Sequence, residues 1–176
     1  MSTASLDDVP SGVRIFLDAS IFVYHFSERS PQCRRLLKRC EQREVVGVTS
    51  VVAFNEASHR LLILEAVQSG VVSSGKVLRK LRRRPDFACQ LRLHVAQMQC
   101  VPAWGIDVLP LDLGRSLRAA AARGTTGLLT NDSLLLATMT DEAIRAIATA
   151  DSDFDRFEDL KVFRPTDLGA AAPALA

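Results

Sequence analysis

The sequence predicts an α/β fold with a mainly parallel sheet. Two observations carry this. Short apolar runs of strand length alternate with longer segments of helical periodicity from one end of the chain to the other. The 176 residues are 48% apolar and 24% charged, an ordinary globular balance that excludes global disorder and supplies enough apolar surface for one core. No internal repeat and no long linker divides the chain, so a single domain is expected over residues 13–167, flanked by a flexible leader (1–12) and a loose Ala-rich tail (168–176).

The elements follow in order. Residues 13–17 form an apolar run closed by Asp18, a buried strand. Residues 20–26 are apolar and turn into a helix. Ser30-Pro31 marks a second helix start, with serine as N-cap and proline in the first turn; Cys33, Leu36, Leu37 and Cys40 then share one face. Residues 45–49 read as the second strand. Ser50 opens a long helix to about Gln68, with Phe54, Ala57, Leu61 and Leu64 at helical spacing. After Ser69-Gly70 and Ser73-Ser-Gly75, residues 76–100 read as one or two helices broken at Pro85. Residues 106–109 are the third strand. Residues 113–123 form a helix that Gly124 closes as C′ residue. An apolar helix over 134–139 follows Asn131-Asp132. Residues 143–149 and 160–163 are the fourth and fifth strands, and Pro165 stops the last.

No apolar run approaches the ~18–20 residues of a membrane span, and the first eight residues lack the basic flank and apolar core of a secretory signal, so a cytoplasmic location is expected. Cys33, Cys40, Cys89 and Cys100 form no C-x-x-C pair and lie near no His pair. Neither a zinc site nor a disulfide framework is expected, and the thiols read as reduced, mostly packing groups.

The net charge of +2 conceals a division. Residues 1–75 are neutral, 76–106 carry +6 and 107–176 carry −4. The total excludes a general polycation coat, but it permits a local basic surface beside an acidic pocket. The densest positive run holds Lys76, Arg79, Lys80, Arg82, Arg83 and Arg84. It suits phosphate contact, docking of an acidic partner, or a solvated helix face. No aromatic residue interleaves with it, so base stacking is not expected there.

Four carboxylates stand at element ends: Asp18 after the first strand, Glu56 one turn into the long helix, Asp132 before an apolar helix and Asp151 after the fourth strand, with Asp153 two residues on. Each has an ordinary alternative as a cap, an i, i+4 partner (Glu56 with Arg60) or a turn former. Ligand sites in parallel α/β sheets form outside the carboxyl ends of strands, where Asp18 and Asp151 lie, and the helix starts bearing Glu56 and Asp132 can face the same rim. Converging like charges raise one another's pKa, and a hard divalent ion relieves that repulsion. His59 shares the helix of Glu56, but imidazole is a poor ligand for such an ion, and a surface or structural role is expected. His25 and His94 have no catalytic neighbour in sequence.

Phe16-Leu-Asp18-Ala-Ser20, Thr49-Ser-Val-Val-Ala-Phe-Asn-Glu56, Gly127-Leu-Leu-Thr-Asn-Asp132-Ser-Leu-Leu-Leu-Ala-Thr138 and Ala148-Thr-Ala-Asp151-Ser-Asp153-Phe154 resemble, in order and spacing, the acidic motifs of PIN-domain ribonucleases, and most nearly the VapC-like toxins of toxin–antitoxin pairs. The resemblance runs from about Val13 to Pro165. It implies a PIN-like three-layer α/β/α sandwich with a central sheet of about five strands, and cleavage of RNA dependent on Mg²⁺ or Mn²⁺. It matches Asp18, Glu56, Asp132 and Asp151 to the catalytic and metal-binding quartet, Asp153 to an accessory acid and Ser20 to a hydroxyl near the metal's water. It also implies a homodimer and a cognate antitoxin. Residues 69–105 depart from compact members as a longer, basic helical insertion, whose cations would contact RNA beside the acidic pocket or dock an acidic antitoxin tail. A non-catalytic RNA- or protein-binding module on the same fold is the alternative. A phosphotransfer role for Asp18 fails, because a dehalogenase-type motif needs aspartate where Ser20 stands, and a response receiver needs an acidic pair after the first strand, whereas Asp7-Asp8 precede it.

Overall fold

The computed structural model describes residues 4–70, 72–73 and 75–169. Its strands are β1 (Ala4–Ser5), β2 (Arg14–Leu17), β3 (Val46–Ser50), β4 (Asp107–Leu109), β5 (Ala146–Ala148) and β6 (Lys161–Arg164). Its helices are α1 (Ala19–Phe26), α2 (Pro31–Glu41), α3 (Val51–Gln68), α4 (Val77–Arg83), α5 (Pro85–Ala88), α6 (Leu93–Ala103), α7 (Leu113–Thr126) and α8 (Thr130–Asp141). The strands form one sheet in the order β1-β6-β5-β2-β3-β4, and every pair is parallel.

Helices cover both faces, giving the three-layer α/β/α sandwich. The burial of successive strand residues shows why. Ile15, Phe16 and Leu17 point alternately to opposite faces, yet all three are fully buried, as a sheet covered on both sides requires. Chain order reverses at β2: β3 and β4 lie on one side of it, β5 and β6 on the other. The β2/β5 junction is therefore the topological switch point, where doubly wound sheets open a crevice at their carboxyl edge.

The cap expected at Ser30 forms, its oxygen accepting from the Cys33 N–H, and Ser50, which opens the long helix, caps it by accepting from the Ala53 N–H. Gly124 does not close α7. The helix runs three residues further, and Gly127, at φ +67°, ends it in the left-handed conformation that glycine tolerates. Consequently α8 begins at Thr130, and Asp132 sits inside its first turn rather than ahead of it.

Residues 4–9, expected to belong to a flexible leader, join the fold. β1 extends the sheet beside β6, Ala4 opposite Phe163 and Ser5 opposite Arg164, which makes six strands rather than five. Leu6 and Val9 are buried in the main core. Gln32, itself buried, has its amide nitrogen within hydrogen-bond distance of Ser5 Oγ (3.0 Å), Asp7 Oδ2 (3.1 Å) and Thr166 Oγ1 (2.8 Å), its two hydrogens shared among them, and its Oε1 accepts from the Thr166 N–H. A two-residue strand followed by Leu-Asp-Asp has too little pattern to read in sequence; its order comes from these distant partners. Of the tail, residues 170–176 lie outside the described residues.

The described residues of 69–105 contain three helices. A break falls at Arg84, whose conformation Pro85 restricts, and another over 89–92. Val72, Val77, Leu81 and Leu91 form a small second core with Ala66 of α3, and Leu62, Ile63, Val67 and Phe87 pack against it. No side chain of α6's own start caps that helix. Glu65 of α3 does so instead, accepting from the N–H groups of Arg92 (2.8 Å), Leu93 (2.9 Å) and His94 (2.9 Å) and contacting His94 Nδ1 at 2.8 Å. Burial pushes the Glu65 carboxyl up, but these donors prevail and hold it below the usual range. Cys33 and Cys40 are buried free thiols whose pKa burial raises to about 12 and about 11, whereas Cys89 is exposed.

Leu6 is 1% exposed, so Leu6→Ala is expected to cost about 2–4 kcal/mol. A fall in the urea midpoint at unchanged slope would register it; an unshifted midpoint would return residues 1–12 to the status of a leader.

Candidate metal centre and active site

The cleft at the switch point is built from four elements. β2 delivers Asp18, which caps α1: its Oδ1 accepts from the Ala19 N–H at 2.7 Å and its Oδ2 from Ser20 Oγ at 2.7 Å. Thr149, at the end of β5, donates its hydroxyl to the same Oδ2 at 2.8 Å and accepts from the Asp151 N–H at 2.9 Å. Ser20 Oγ accepts from the Ala150 N–H at 3.1 Å. Two hydroxyls thus tie Asp18 to the loop that carries Asp151. Asp151 in turn caps a 3-10 turn (Ser152–Arg156) through the Asp153 N–H at 2.8 Å, and Arg164 donates to the Asp151 carbonyl.

Glu56 enters from α3 and is engaged on both oxygens. Arg60 lies 2.6 Å from Oε1, the helical pair that the i, i+4 spacing allows, and Asn131 donates to Oε2 at 3.1 Å. Asp132 enters from the first turn of α8 and is half-buried. Asp18, Ser20, Glu56, Asp132 and Asp151 line one cleft of about 680 Å³, together with Tyr24, Arg60 and Asn131.

The carboxylates bear on one another electrostatically. The Asp132 carboxyl is raised to about 6, first by burial and then by the charges of Asp151, Asp18, Glu56 and Asp153. The tightest set is Asp132, Asp151 and Asp153, which offer oxygens within 4.8 Å of one another. Asp18 and Glu56 share the cleft and act on Asp132 through their charge, outside that close triad. The donor set suits a hard divalent ion: all ligands are carboxylate oxygens, and the repulsion that raises Asp132 is what such an ion relieves.

The six cations of the basic run do not line this cleft. Arg79, Arg82, Arg83 and Arg84 are exposed on or beside α4, and Lys76 stands exposed at its start. His59 is exposed, His94 is bound to Glu65, and His25 packs edge-on against Phe26 and Trp104; none lines the cleft. Sequence reading did not single out Thr149, Asn131 or Tyr24. Only Thr149 had a usable signal, a hydroxyl two positions before Asp151 at a strand end.

A family model for the PIN domain matches residues 15–160, and the chain belongs to that family. No curated protein sequence matches the chain. Among solved structures, the fold is similar to a chain of VapBC2 from Rickettsia felis, bound to a DNA fragment from its promoter. That match has a TM-score of 0.54 at 13% identity and covers 86% of this chain and 98% of that one. A chain of VapBC-1 from nontypeable Haemophilus influenzae gives 0.50 at 15% identity, covering 88% and 99%. FitAcB from Neisseria gonorrhoeae gives 0.44 at 19% identity, covering 86% and 97%.

A raised carboxyl makes the folded state bind a proton more tightly than the unfolded chain. Between pH ~4 and ~6 this contribution to stability falls as pH rises, and it stays lost above that window. Asp132→Asn is therefore expected to raise the melting temperature of metal-free protein at pH 7.5, by about 2–4 °C for each kcal/mol of repulsion relieved, and to have no such effect near pH 4. In the unaltered protein, Mn²⁺ should raise the melting temperature strongly at pH 7.5 and weakly at pH 5. Equal Mn²⁺ shifts in Asp132→Asn and the unaltered protein would remove Asp132 from the ion's ligands.

Proposed function

We propose that the protein is a Mg²⁺- or Mn²⁺-dependent endoribonuclease and the toxin of a VapC-like toxin–antitoxin pair. The observation that carries this reading is the convergence of four carboxylates from four elements on one cleft at the sheet's switch point, with Asp153 within 4.8 Å of two of them. Membership of the PIN domain family supports nuclease-like chemistry.

In this reading Asp132, Asp151 and Asp153 hold the ion, with Asp18 and Glu56 completing its surroundings. A bound divalent ion lowers the pKa of water and stabilises the oxyanions of phosphodiester hydrolysis. The residues supply the rest. Ser20 and Thr149 fix one oxygen of Asp18 by hydroxyl donation and leave the carboxylate one orientation. Ser20 Oγ donates to Asp18 and accepts from the Ala150 N–H, so it is committed to positioning and is not free to attack; water is the nucleophile. Asn131 orients Glu56 by donating to its Oε2.

The partners follow from the same reading. RNA is the substrate, and the protein acts in the cytoplasm; among the described residues no helix is long and apolar enough to cross a membrane. The similarity to VapBC chains supports a cognate antitoxin. α7 exposes Leu113 (74%) and Leu117 (62%) one turn apart, a helix face suited to a two-fold contact with a second copy.

Purified protein is expected to cleave single-stranded RNA with Mn²⁺ or Mg²⁺ and to stop when EDTA is added. Asp18→Asn and Asp132→Asn should each lower the rate by about 100-fold or more while circular dichroism stays unchanged. Undiminished cleavage by either variant would remove it from the active site, and absence of cleavage by the unaltered protein with both metals would favour a binding module. Expression of the protein should slow the growth of cells, and Asp132→Asn should abolish that effect.

A further inference from the structure

Among the described residues, Arg60 is the one cationic side chain that lines the acidic cleft. A surface Glu–Arg pair at i, i+4 contributes only about 0.3–0.5 kcal/mol to a helix, so stability gives little reason for it. Its position gives another. A phosphodiester entering this cleft meets the carboxylates of Asp18, Glu56, Asp132 and Asp151. Arg156 pairs with Asp153 at 3.2 Å beside the cleft; within the lining itself, Arg60 is the side chain that can offset that repulsion. One nitrogen is engaged with Glu56 at 2.6 Å, and the side chain stays 33% exposed; the fork carries five N–H donors, which leaves several for phosphate oxygens.

The course of α3 extends this point into a path. Glu56, Arg60, Ile63 and Val67 follow one another at i, i+4, i+7 and i+11, and so lie on one face of the helix. Glu56 and Arg60 line the cleft, while Ile63 and Val67 pack against the small second core formed with α4. Val77 and Leu81 turn α4 inward onto that core, and Arg79, Arg82 and Arg83 remain exposed. At 1.5 Å per residue, Arg60 stands about 6 Å along α3 from Glu56 and Val67 about 16 Å. The basic helix is thus separated from the acids by a short stretch of α3 on which Arg60 is the intermediate cation. The longer distance spans a few nucleotides of a single strand.

We infer that Arg60 is a phosphate-binding residue, the first step of a track along α3 that carries a single RNA strand from the acidic cleft to the exposed arginines of α4. The inference deepens the ribonuclease reading and rests on it for the identity of the strand. It assigns Arg60 a direct contact with substrate, and it assigns the α4 module the strand outside the cleft rather than the cleaved bond.

The test separates binding from cleavage. Fluorescence anisotropy follows a labelled 12-nucleotide single-stranded RNA in EDTA, with the Asp18→Asn/Asp132→Asn protein as reference so that no cleavage occurs. Adding Arg60→Gln to that protein should weaken binding about tenfold and reduce the salt slope by about 0.7, the value for one phosphate on a single strand. Adding Arg79→Ser, Arg82→Ser and Arg83→Ser instead should reduce the slope by about 2. A three-nucleotide RNA should lose the dependence on the α4 arginines and keep the dependence on Arg60. In the otherwise unaltered protein, Arg60→Gln should retain or enlarge the Mn²⁺ shift in melting temperature. An unchanged slope and affinity for Arg60→Gln, or a diminished Mn²⁺ shift with RNA binding intact, would reduce Arg60 to a prop for Glu56 and overturn the inference. Failure of the ribonuclease reading looks different: the unaltered protein would not cleave RNA with Mn²⁺, whatever these slopes are.

Discussion

The parallel pairing of β2 with β5, Phe16 opposite Ile147 and Leu17 opposite Ala148, is the contact on which the site depends. These strands are distant in sequence and adjacent at the switch point, so their carboxyl ends deliver Asp18 and Asp151 to one place. The Asp18 N–H extends the pairing by donating to the Ala148 carbonyl at 3.0 Å, and the Thr149 and Ser20 hydroxyls fasten the two chain ends together just beyond it. Converging anions push apart. Here the force is resisted by a fully buried β-ladder and by backbone donors aimed at the carboxylates, which fix the acids before any ion arrives. The Asp132 carboxyl is raised by its burial first and by these neighbouring charges second.

The parts of the fold that were legible in the sequence are those whose signal is local. Ser30-Pro31 and Ser50 mark helix starts because an N-cap needs only a hydroxyl and the next three amides. The runs at 13–17 and 45–49 read as strands because both faces of a parallel sheet are buried. What was not legible depends on distant partners. Ala4 and Ser5 are a strand only because β6 offers an edge, and Gln32 clamps them there. The choice of Gly127 over Gly124 as the end of α7 turns on where α8 must begin, which one helix pattern does not encode. In the site, the four acids of the motifs could be named from order and spacing. Their grouping could not: the close triad includes Asp153, and Asn131, across the cleft on α8, comes to Glu56 through tertiary packing alone.

The division of charge along the chain has a spatial counterpart. The acidic groups gather where strands end, and the basic run stands apart on a helix with its own small core. α3 joins the two. Its first turns contribute Glu56 and Arg60 to the cleft, its last turns supply Ile63, Ala66 and Val67 to the second core, and Glu65 caps α6. One long helix therefore holds the spacing between an anionic centre and a cationic surface, which two separate loops could not keep fixed.

The Glu65 cap has a consequence for how the molecule opens. α6 is anchored twice, by that carboxylate at its start and by Met98 and Val101 in the main core. α4 and α5 pack, among the described residues, on the small second core. Local unfolding should then begin with α4 and α5 and halt at α6, as a unit of low cost beside a rigid sheet. The basic surface would be the part of the protein that breathes, with amides that exchange with solvent long before those of β2 and β5.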